Sequence, residues 1–424
     1  MTPVERAVRD DWGRLLALLV AQYRRLDLAE DGLADAVEAA ARTWPSLPGG
    51  SPGNPAAWLL TAARRRVVDR LRHESVAART LPMLAVDATL TVDASRTMAD
   101  DGSPVGLADE RLRLVLLCAH PSLRPEAAAA LTLRMVLGVP TEDLARLFLV
   151  RTSTMAARLT RARKSLAHGS FTVPTGRELG SRLGVVADVA YLAFTAGYAA
   201  GSGPDLLRAD VSAEAIRLVR LTRSLLAGWP HPPDEHSLDA LLALMLLQHS
   251  RRDARVENGR LVLLPDQDRT RWHRDEIAEG LALLEPLVHD PPAPYLLQAL
   301  IAAEHAIAPR AADTAWARIV SRYDELLALG ESPVVRLNRA VAVAEVDGPL
   351  AGLAALAPLA GRAGLGHRYD AVRAELLARA GLADEAVVAY TAALAVCGNE
   401  TERAHLAHRR RQVGGEVGRD GVPG

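Results

Sequence analysis

Apolar residues in this chain recur at intervals of three and four, the spacing that gathers side chains on one face of an α-helix. Segment 4–45 shows the pattern through Trp12, Leu15, Leu16, Leu19 and Tyr23. Strand-type runs are scarce, and aromatic residues make up only 4% of the chain. Alanine and leucine, which favour helices, are abundant. The sequence therefore predicts a nearly all-α protein.

Interruptions of this pattern divide the chain, whose 424 residues are enough for two or three domains. A cluster of proline and glycine at 45–53 precedes Asn54 and Pro55, which suit the N-cap and first position of a helix. Segment 74–108 is rich in Thr, Asp and Gly and weakly periodic, which is typical of a linker. The predicted divisions are a first helical domain at 1–73, the linker at 74–108, a second helical domain at 109–168, a longer helical region at 169–412 and a disordered tail at 413–424.

Charge and cysteine content exclude several classes of protein. The net charge of −1 provides no overall attraction to nucleic acid or membrane, so such binding would need local patches. Two cysteines form no disulfide framework, which favours a reducing compartment. The N-terminal residues lack the apolar core of a signal peptide, and no apolar run reaches the roughly 18 residues of a spanning helix. We expect a cytoplasmic protein without a membrane partner.

A first basic segment lies at 61–74. Val67, Val68 and Leu71 form an apolar face, and from Thr61 to His73 one acid, Asp69, accompanies five arginines: Arg64, Arg65, Arg66, Arg70 and Arg72. Such a helix is either a solvated surface or one that follows a phosphate backbone, because clustered arginines release counterions on binding.

A second basic segment, 139–166, has the layout of a helix-turn-helix. Thr141 can cap a first helix, residues 149–151 form a turn, and Thr152 or Ser153 can cap a second helix. Leu149 stands where the turn of this motif often has glycine. The residues predicted to face back are Met155, Leu159, Ala162 and Leu166, and those predicted to face outward or to flank are Thr152, Ser153, Ala156, Ala157, Arg158, Thr160 and Arg161. A purely structural helical hairpin is the alternative.

Together these segments resemble a sigma factor of the extracytoplasmic-function class. "DLAEDGLADAVEAA" (27–40) resembles its polymerase-docking helix, "NPAAWLLTAARRRVVDRLR" (54–72) the segment that reads the −10 element, and 130–166 the domain that reads the −35 element. Segments 118–134, 191–218, 263–284 and 332–349 resemble the subgroup with a tetratricopeptide-like C-terminal extension. Small-residue repeats such as "GLADEAVVAYTAAL" (381–394) are compatible with stacked helical pairs and equally with a generic hairpin.

This resemblance implies a protein that is not an enzyme and that gives core RNA polymerase its promoter specificity. It implies DNA contacts through Arg64, Arg65, Arg66, Arg70, Arg72, Thr152, Ser153, Ala156, Ala157, Arg158 and Arg161. It implies polymerase contacts through acidic residues of the docking helix: Asp27, Glu30, Asp31 and Asp35. Ala34 stands where this helix commonly has Gln. The extension would control the sigma domains through an intramolecular contact. The alternative is a helix-turn-helix regulator with a repeat-type sensing domain that does not act as a sigma factor.

The segment "VLLPDQDRTRW" (262–272) begins like a phosphatase nucleophile motif and like a calcium loop. No lysine follows Thr270, and helical surroundings leave no place for the parallel sheet that such a phosphatase needs. A calcium loop would need glycine and glutamate where Arg271 and Ile277 stand. Two interpretations remain, an internal clamp or a contact surface for the sigma domains or polymerase, with Asp266, Asp268, Arg269, Arg271 and Trp272 as the contact residues. The stretch from 253 to 272 is predicted to be a short extended loop or a hairpin, with Asn258 and Gly259 as its turn.

No metal or cofactor is expected. Cys118 and His120 lack two further nearby ligands for zinc, and Cys118 suits a buried small apolar position. His405 and His408 are expected to be solvated.

Overall fold

The computed structural model describes residues 2–79, 104–148, 150–166, 176–198, 209–227, 236–257, 259–361 and 365–420. They form two compact units, Met1–Ala193 with Arg217–Asp234, and Phe194–Ile216 with Glu235–Gly424. The all-α fold predicted from the apolar spacing is confirmed, and strands in the described part of the chain are confined to one short hairpin.

The helices of the first unit surround α1. Helix α1 packs against α2, α3, α4 and α5, while α5 also packs against α6 and α7. Two further helices belong to both units: the one at Gly176–Tyr198 passes into the second unit after Ala193, and the one at Ala209–Leu226 starts in the second unit and enters the first at Arg217. The bounds are α1 Pro3–Tyr23, α2 Leu26–Thr43, α3 Pro55–Arg79, α4 Pro104–Cys118, α5 Pro125–Leu137, α6 Thr141–Leu147, α7 Thr152–Leu166, α8 Gly176–Tyr198 and α9 Ala209–Leu226.

Local chemistry fixes the start of α1 and its close approach to α5. Thr2 and Glu5 form a capping box, in which the Thr2 hydroxyl accepts from the Glu5 amide at 3.1 Å and Glu5 accepts from the Thr2 amide at 2.7 Å. Gly13 then allows α1 to meet the backbone of α5, because a Cβ at this position would lie 2.0 Å from the carbonyl oxygen of Val136. The buried side chains of Trp12, Leu15 and Leu19 fill the interior around it.

The second unit is a series of helices in which most consecutive members pack against each other, from α10 through α18. A two-stranded antiparallel hairpin, β1 Val256–Glu257 and β2 Arg260–Leu261, interrupts the series between α10 and α11, as predicted, and Gly259 has a φ of 73° in its turn. Asn258 lies outside the described residues. The helices are α10 His236–His249, α11 Arg274–Leu284, α12 Pro294–Ile307, α13 Trp316–Leu329, α14 Pro333–Asp347, α15 Pro349–Leu356, α16 Arg368–Arg379, α17 Ala383–Val396 and α18 Glu400–Asp420.

Several predicted boundaries differ from the structure. Both ends of the predicted linker are helical, since α3 continues to Arg79 and α4 begins at Pro104, and 80–103 lies outside the described residues. Residues 413–420 of the predicted disordered tail belong to α18. The first unit does not end near 168, because it includes α8 up to Ala193 and returns for the second half of α9.

Helix α8 contains the one stretch, among the described residues, that is long and apolar enough to cross a membrane, Glu178–Tyr198. A single such helix is weak evidence for a membrane span, because core helices of soluble proteins also have this composition. Leu183, Val186 and Ala190 of this stretch are buried in the first unit.

Replacing Gly13 with alanine should destabilise the first unit. The added methyl would collide with backbone, which cannot move aside as a flexible side chain can, so a loss of about 1–3 kcal/mol is expected. Urea unfolding monitored by circular dichroism measures it. The matched control is Gly184→Ala in α8, where a Cβ meets nothing within 4 Å. There alanine should stabilise the protein by about 0.5–1 kcal/mol. Equal effects at both positions would contradict the close approach of α1 and α5.

Candidate nucleic-acid interface

Helices α6 and α7 form the helix-turn-helix that the sequence predicts. The α7 side chains predicted to face back, Met155, Leu159, Ala162 and Leu166, are all buried, as are Leu144 and Ala145 of α6. The Val150 amide donates to the Ala145 carbonyl at 3.0 Å as the chain leaves α6. Thr141 and Thr152 are the first helical residues rather than N-caps. Leu149 lies outside the described residues.

The outer face of α7 is basic and accessible. Exposed along it are Thr152, Ser153, Ala156, Ala157 and Arg161. Arg158 is half-buried, with its guanidinium 5.8 Å from the centre of the Phe148 ring, a cation–π contact that orients it. Lys164, the one lysine in the sequence, is exposed one turn after Arg161. No acid lies between 151 and 166, so this face is suited to contact phosphates.

The arginines of α3 divide into two groups. Arg65, Arg66 and Arg72 are exposed and Arg64 is half-buried. Arg70 donates to Asp31 of α2 at 2.5 Å and to Asp35 of α2 at 3.0 Å. Partial burial alone would lower the pKa of Arg70, but these two carboxylates outweigh it and raise the pKa. A predicted DNA contact and two predicted polymerase contacts are therefore partners of each other in this structure.

Glu30 occupies a position different from the one expected for a docking residue. Its residue surface is only 6% exposed, and its carboxylate accepts from Arg134 of α5 at 2.7 Å and from Arg163 of α7 at 2.5 Å. Glu30 was predicted to contact polymerase with the other three acids, but here it is buried and its charge neutralises two arginines inside the unit. Asp27 and Asp31 have half-exposed side chains, and Asp35 is somewhat less exposed.

Glu30, Arg134 and Arg163 connect α2 of the N-terminal part of the unit with α5 and α7. Arg134 also lies with its guanidinium 5.2 Å from the centre of the Trp12 ring. Hence α1, α2, α5 and α7 meet around one carboxylate. The sequence analysis did not single out Arg134 or Arg163. For Arg163 one sequence feature pointed toward the interior, namely that it follows Ala162, which was predicted to face inward and is buried.

The segment 262–272 is an internal clamp of the second unit. Trp272 is 3% exposed, and two guanidinium groups lie near its ring, Arg269 at 4.4 Å and Arg251 at 5.9 Å from the centroid. Arg269 also donates to the carbonyls of His305 and Ala308 at 2.7 and 2.8 Å, so it caps the C-terminal end of α12. Trp272 is therefore not part of an exposed contact surface, which corrects its place among the contact residues.

The two aspartates of this segment lie in short turns. Asp268 accepts from the amide and the hydroxyl of Thr270, at 2.9 and 2.6 Å, and these hydrogen bonds lower its pKa. Asp266 ends a 3-10 helix, and the described chain around it has no parallel sheet. Asp266, Asp268 and Arg271 are exposed, so a contact role remains a prediction for these three.

The cysteine and histidine predictions have mixed outcomes. Cys118 is fully buried and burial raises its thiol pKa, which confirms it as a small apolar residue. His408 is exposed as expected. The expectation of solvation is wrong for His405, which is partly buried, and this burial lowers its pKa.

Comparisons with known proteins agree with this geometry. Residues 113–166, from within α4 to the end of α7, match the family model of sigma-70 region 4, so a sigma factor-type DNA-binding domain is present. Residues 182–287 match a family of unknown function (DUF6596). Over 395 residues the chain is 40% identical to the "Uncharacterized protein R00370" of Rhizobium meliloti (strain 1021), covering 92% of this chain and 91% of that protein. No solved structure matches.

Replacing Glu30 with glutamine should destabilise the first unit by about 2 kcal/mol, because hydrogen bonds to charged groups contribute about 1.5–3 kcal/mol each and two are weakened. Denaturant unfolding of the full chain measures this. Asp27→Asn is the matched control, since its ion pair with Arg25 is local and half-exposed and its loss should cost less than about 1 kcal/mol. Equal effects would show that Glu30 does not join the helices.

Replacing Arg269 with alanine should destabilise the second unit by about 2–3 kcal/mol, through loss of two charged hydrogen bonds and the contact with Trp272. Tryptophan fluorescence during unfolding measures the loss. Arg271→Ala, at an exposed arginine of the same turn, should change stability by about 0.5 kcal/mol or less. A larger effect at Arg271 would argue for a contact surface instead of a clamp.

Proposed function

We propose that this chain, which carries a sigma-70 region 4 domain and belongs to one family with the uncharacterized Rhizobium meliloti relative, is an alternative sigma factor of the extracytoplasmic-function class. It binds core RNA polymerase in the cytoplasm and directs it to a subset of promoters. The role is one of recognition and not of enzymatic catalysis. The observation that carries the proposal is the outer face of α7, basic and accessible within a sigma-70 region 4 domain.

In this proposal α7 enters the major groove of the −35 element. A recognition helix contacts base edges with its N-terminal residues and phosphates with its flanks. Thr152, Ser153 and Ala156 are at the N-terminal end of α7 and are small enough for close approach. Arg158 and Arg161 lie where they can contact phosphates or the O6 and N7 acceptors of guanine.

The N-terminal helices take the other two tasks. Arg65 and Arg66 of α3 follow the DNA backbone at the −10 element, where strand opening exposes bases. The carboxylates of Asp27, Asp31 and Asp35 bind basic polymerase surface. For Asp31 and Asp35 this requires that polymerase compete with Arg70, and release of Arg70 would add a cation to the DNA-binding face of α3.

The free protein is expected to bind DNA weakly, and the ion-paired cluster of Glu30, Arg134 and Arg163 supports this expectation. This cluster fastens α2 to α5 and α7, so the two DNA-binding helices are held in one compact unit. Core polymerase would set the separation that a promoter needs, and two modest DNA contacts at a fixed separation gain affinity through effective concentration.

The second unit is proposed as the control element, a tetratricopeptide-like extension. Support comes from the stacking of consecutive helices and from the burial of Ala386, Tyr390 and Ala393 of α17, which lie in the repeat-like segment 381–394. The proposal includes a contact between this unit and the sigma domains.

Transcription with purified core polymerase on a genomic promoter library, with start sites mapped, tests the function. Transcripts above those of core alone are expected, and core polymerase should be retained by the immobilised full chain. If core polymerase is retained but no transcripts appear, or if neither result is obtained, the sigma assignment is wrong. A helix-turn-helix regulator predicts DNA binding without a stable polymerase complex.

Arg161→Ala should lower transcription from the mapped promoters about 5- to 100-fold, since a contact to a guanine edge contributes about 1–3 kcal/mol. If the contact is to phosphate, the salt dependence of promoter binding should instead fall by a slope of about one. Arg310→Ala, at an exposed arginine paired with Asp313 in the second unit, is the control and should leave transcription unchanged. Equal loss in both variants would contradict the assigned face.

Truncation tests the control element, and the structure decides where to cut. Ending the chain near 170 removes buried residues of the first unit in α8 and α9, whereas ending it at 234 retains them. We expect the 1–234 chain to keep its helical circular dichroism and to change transcription strongly in either direction. Unchanged output would make the second unit a passive appendage.

A further inference from the structure

Three potential metal ligands meet at helix ends of the second unit. His367 is the N-cap residue of α16, Cys397 is the C-cap residue of α17, and Glu402 is in the first turn of α18. The Nε2 atom of His367 lies 2.9 Å from Oε2 of Glu402. One imidazole nitrogen, the thiol sulfur and one carboxylate oxygen all lie within 4.8 Å of one another. Three different side chains thus converge on one point.

The location is enclosed but reachable. Cys397 is 4% exposed, while the side chains of His367 and Glu402 are 16% and 23% exposed. The thiol is therefore held inside the packing of α17 and α18, and the other two groups lie between it and solvent. The imidazole and the carboxylate are thus the parts of the site that an ion from solvent would meet first.

The three donors suit zinc better than the common hard cations. Zn²⁺ takes thiolate, imidazole and carboxylate ligands at about 2.0–2.3 Å in a tetrahedron, whereas Ca²⁺ and Mg²⁺ prefer oxygen ligands only. Tetrahedral bonds of those lengths place neighbouring donor atoms about 3.3–3.7 Å apart. The His367–Glu402 separation would have to widen by a few tenths of an ångström, and the sulfur, within 4.8 Å, would approach.

Neighbouring groups hold the ligands in place. The Asn399 side chain accepts from the amide of Glu402 at 3.0 Å, which fixes the first turn of α18. Arg403 donates to the carbonyl of Cys397 at 3.3 Å, and the Cys397 sulfur lies 3.6 Å from the carbonyl of Asn399. The backbone on both sides of the cysteine is therefore ordered around the sulfur.

Charge sets a requirement on this site. Arg255, Arg368 and Arg403 act electrostatically on Glu402 or Cys397 and oppose a bound cation. Arg255 donates a hydrogen bond to the carbonyl oxygen of Tyr198 at 2.5 Å, and its guanidinium lies 3.9 Å from the centre of the Tyr198 ring. A dication is favoured only if both the thiolate and the carboxylate contribute negative charge, which together balance the charge of Zn²⁺.

We propose that His367, Cys397 and Glu402 bind one Zn²⁺ ion, with water as the fourth ligand, and that this ion fastens α16, α17 and α18 together. The site would stabilise the end of the second unit, where α18 also packs against β2. It does not depend on the proposed sigma function.

The test uses the full-length, tag-free chain loaded with Zn²⁺, with bound metal measured by mass spectrometry after dialysis. One zinc per chain is expected. Cys397→Ser, His367→Gln and Glu402→Gln should each weaken binding by more than the roughly 10- to 100-fold that loss of a supporting partner causes. The matched controls Cys118→Ala, His408→Gln and Glu400→Gln should retain the zinc.

Cobalt substitution reports on the sulfur directly. Co²⁺ bound by the unmodified chain and by Cys118→Ala should show thiolate-to-cobalt charge-transfer absorption, and Cys397→Ser should not. Zinc should also raise the melting temperature of the unmodified chain but not that of Cys397→Ser, with each chain compared with its own metal-free form.

The proposal is overturned if the unmodified chain binds no zinc, if Cys397→Ser binds as much as the unmodified chain, or if cobalt binds without the thiolate absorption. Loss of binding together with loss of helical circular dichroism would indicate misfolding of that variant. In that case the cobalt absorption of the unmodified chain and of Cys118→Ala decides the outcome.

Discussion

One buried carboxylate organises the first unit. Glu30 accepts hydrogen bonds from Arg134 and Arg163, and Arg134 lies in turn near the ring of Trp12. A buried carboxylate without such partners would be strongly unfavourable, and so would two guanidinium groups facing each other without it. The link from α2 to α5 and α7 is made by these ion pairs and therefore depends on all three charges being present. The DNA-binding helix is thereby tied to the N-terminal helices.

The second unit relies on a comparable device made from arginine and an aromatic ring. Arg269 serves two partners, the ring of Trp272 and the last carbonyls of α12. A lysine could not serve both as well, because its single ammonium lacks the planar fork of guanidinium. The segment that looked catalytic in the sequence is thus a support for the helix series around it.

The spacing of apolar residues and the turn residues predicted the helix faces and the hairpin. The partners of buried charges could not be predicted from them. The spacing of Met155, Leu159 and Ala162 was enough to orient α7, because helix periodicity assigns faces without knowledge of the partner. The hairpin at Gly259 followed from turn chemistry. Glu30 was predicted to contact polymerase, because its partners Arg134 and Arg163 lie 104 and 133 residues later in the chain and no local pattern indicates them. His367 and Cys397 were not singled out either, because 30 residues separate them and metal-ligand motifs are recognised from short, regular spacings.

The composition of α7 has a practical consequence. Lys164 is exposed and lies one turn beyond Arg161, on a chain whose other basic side chains, apart from histidine, are all arginine. Amine-directed reagents therefore have a single side-chain target, at the edge of the surface assigned to the promoter. A fluorophore or cross-linker attached there would report on DNA occupancy without any engineered residue.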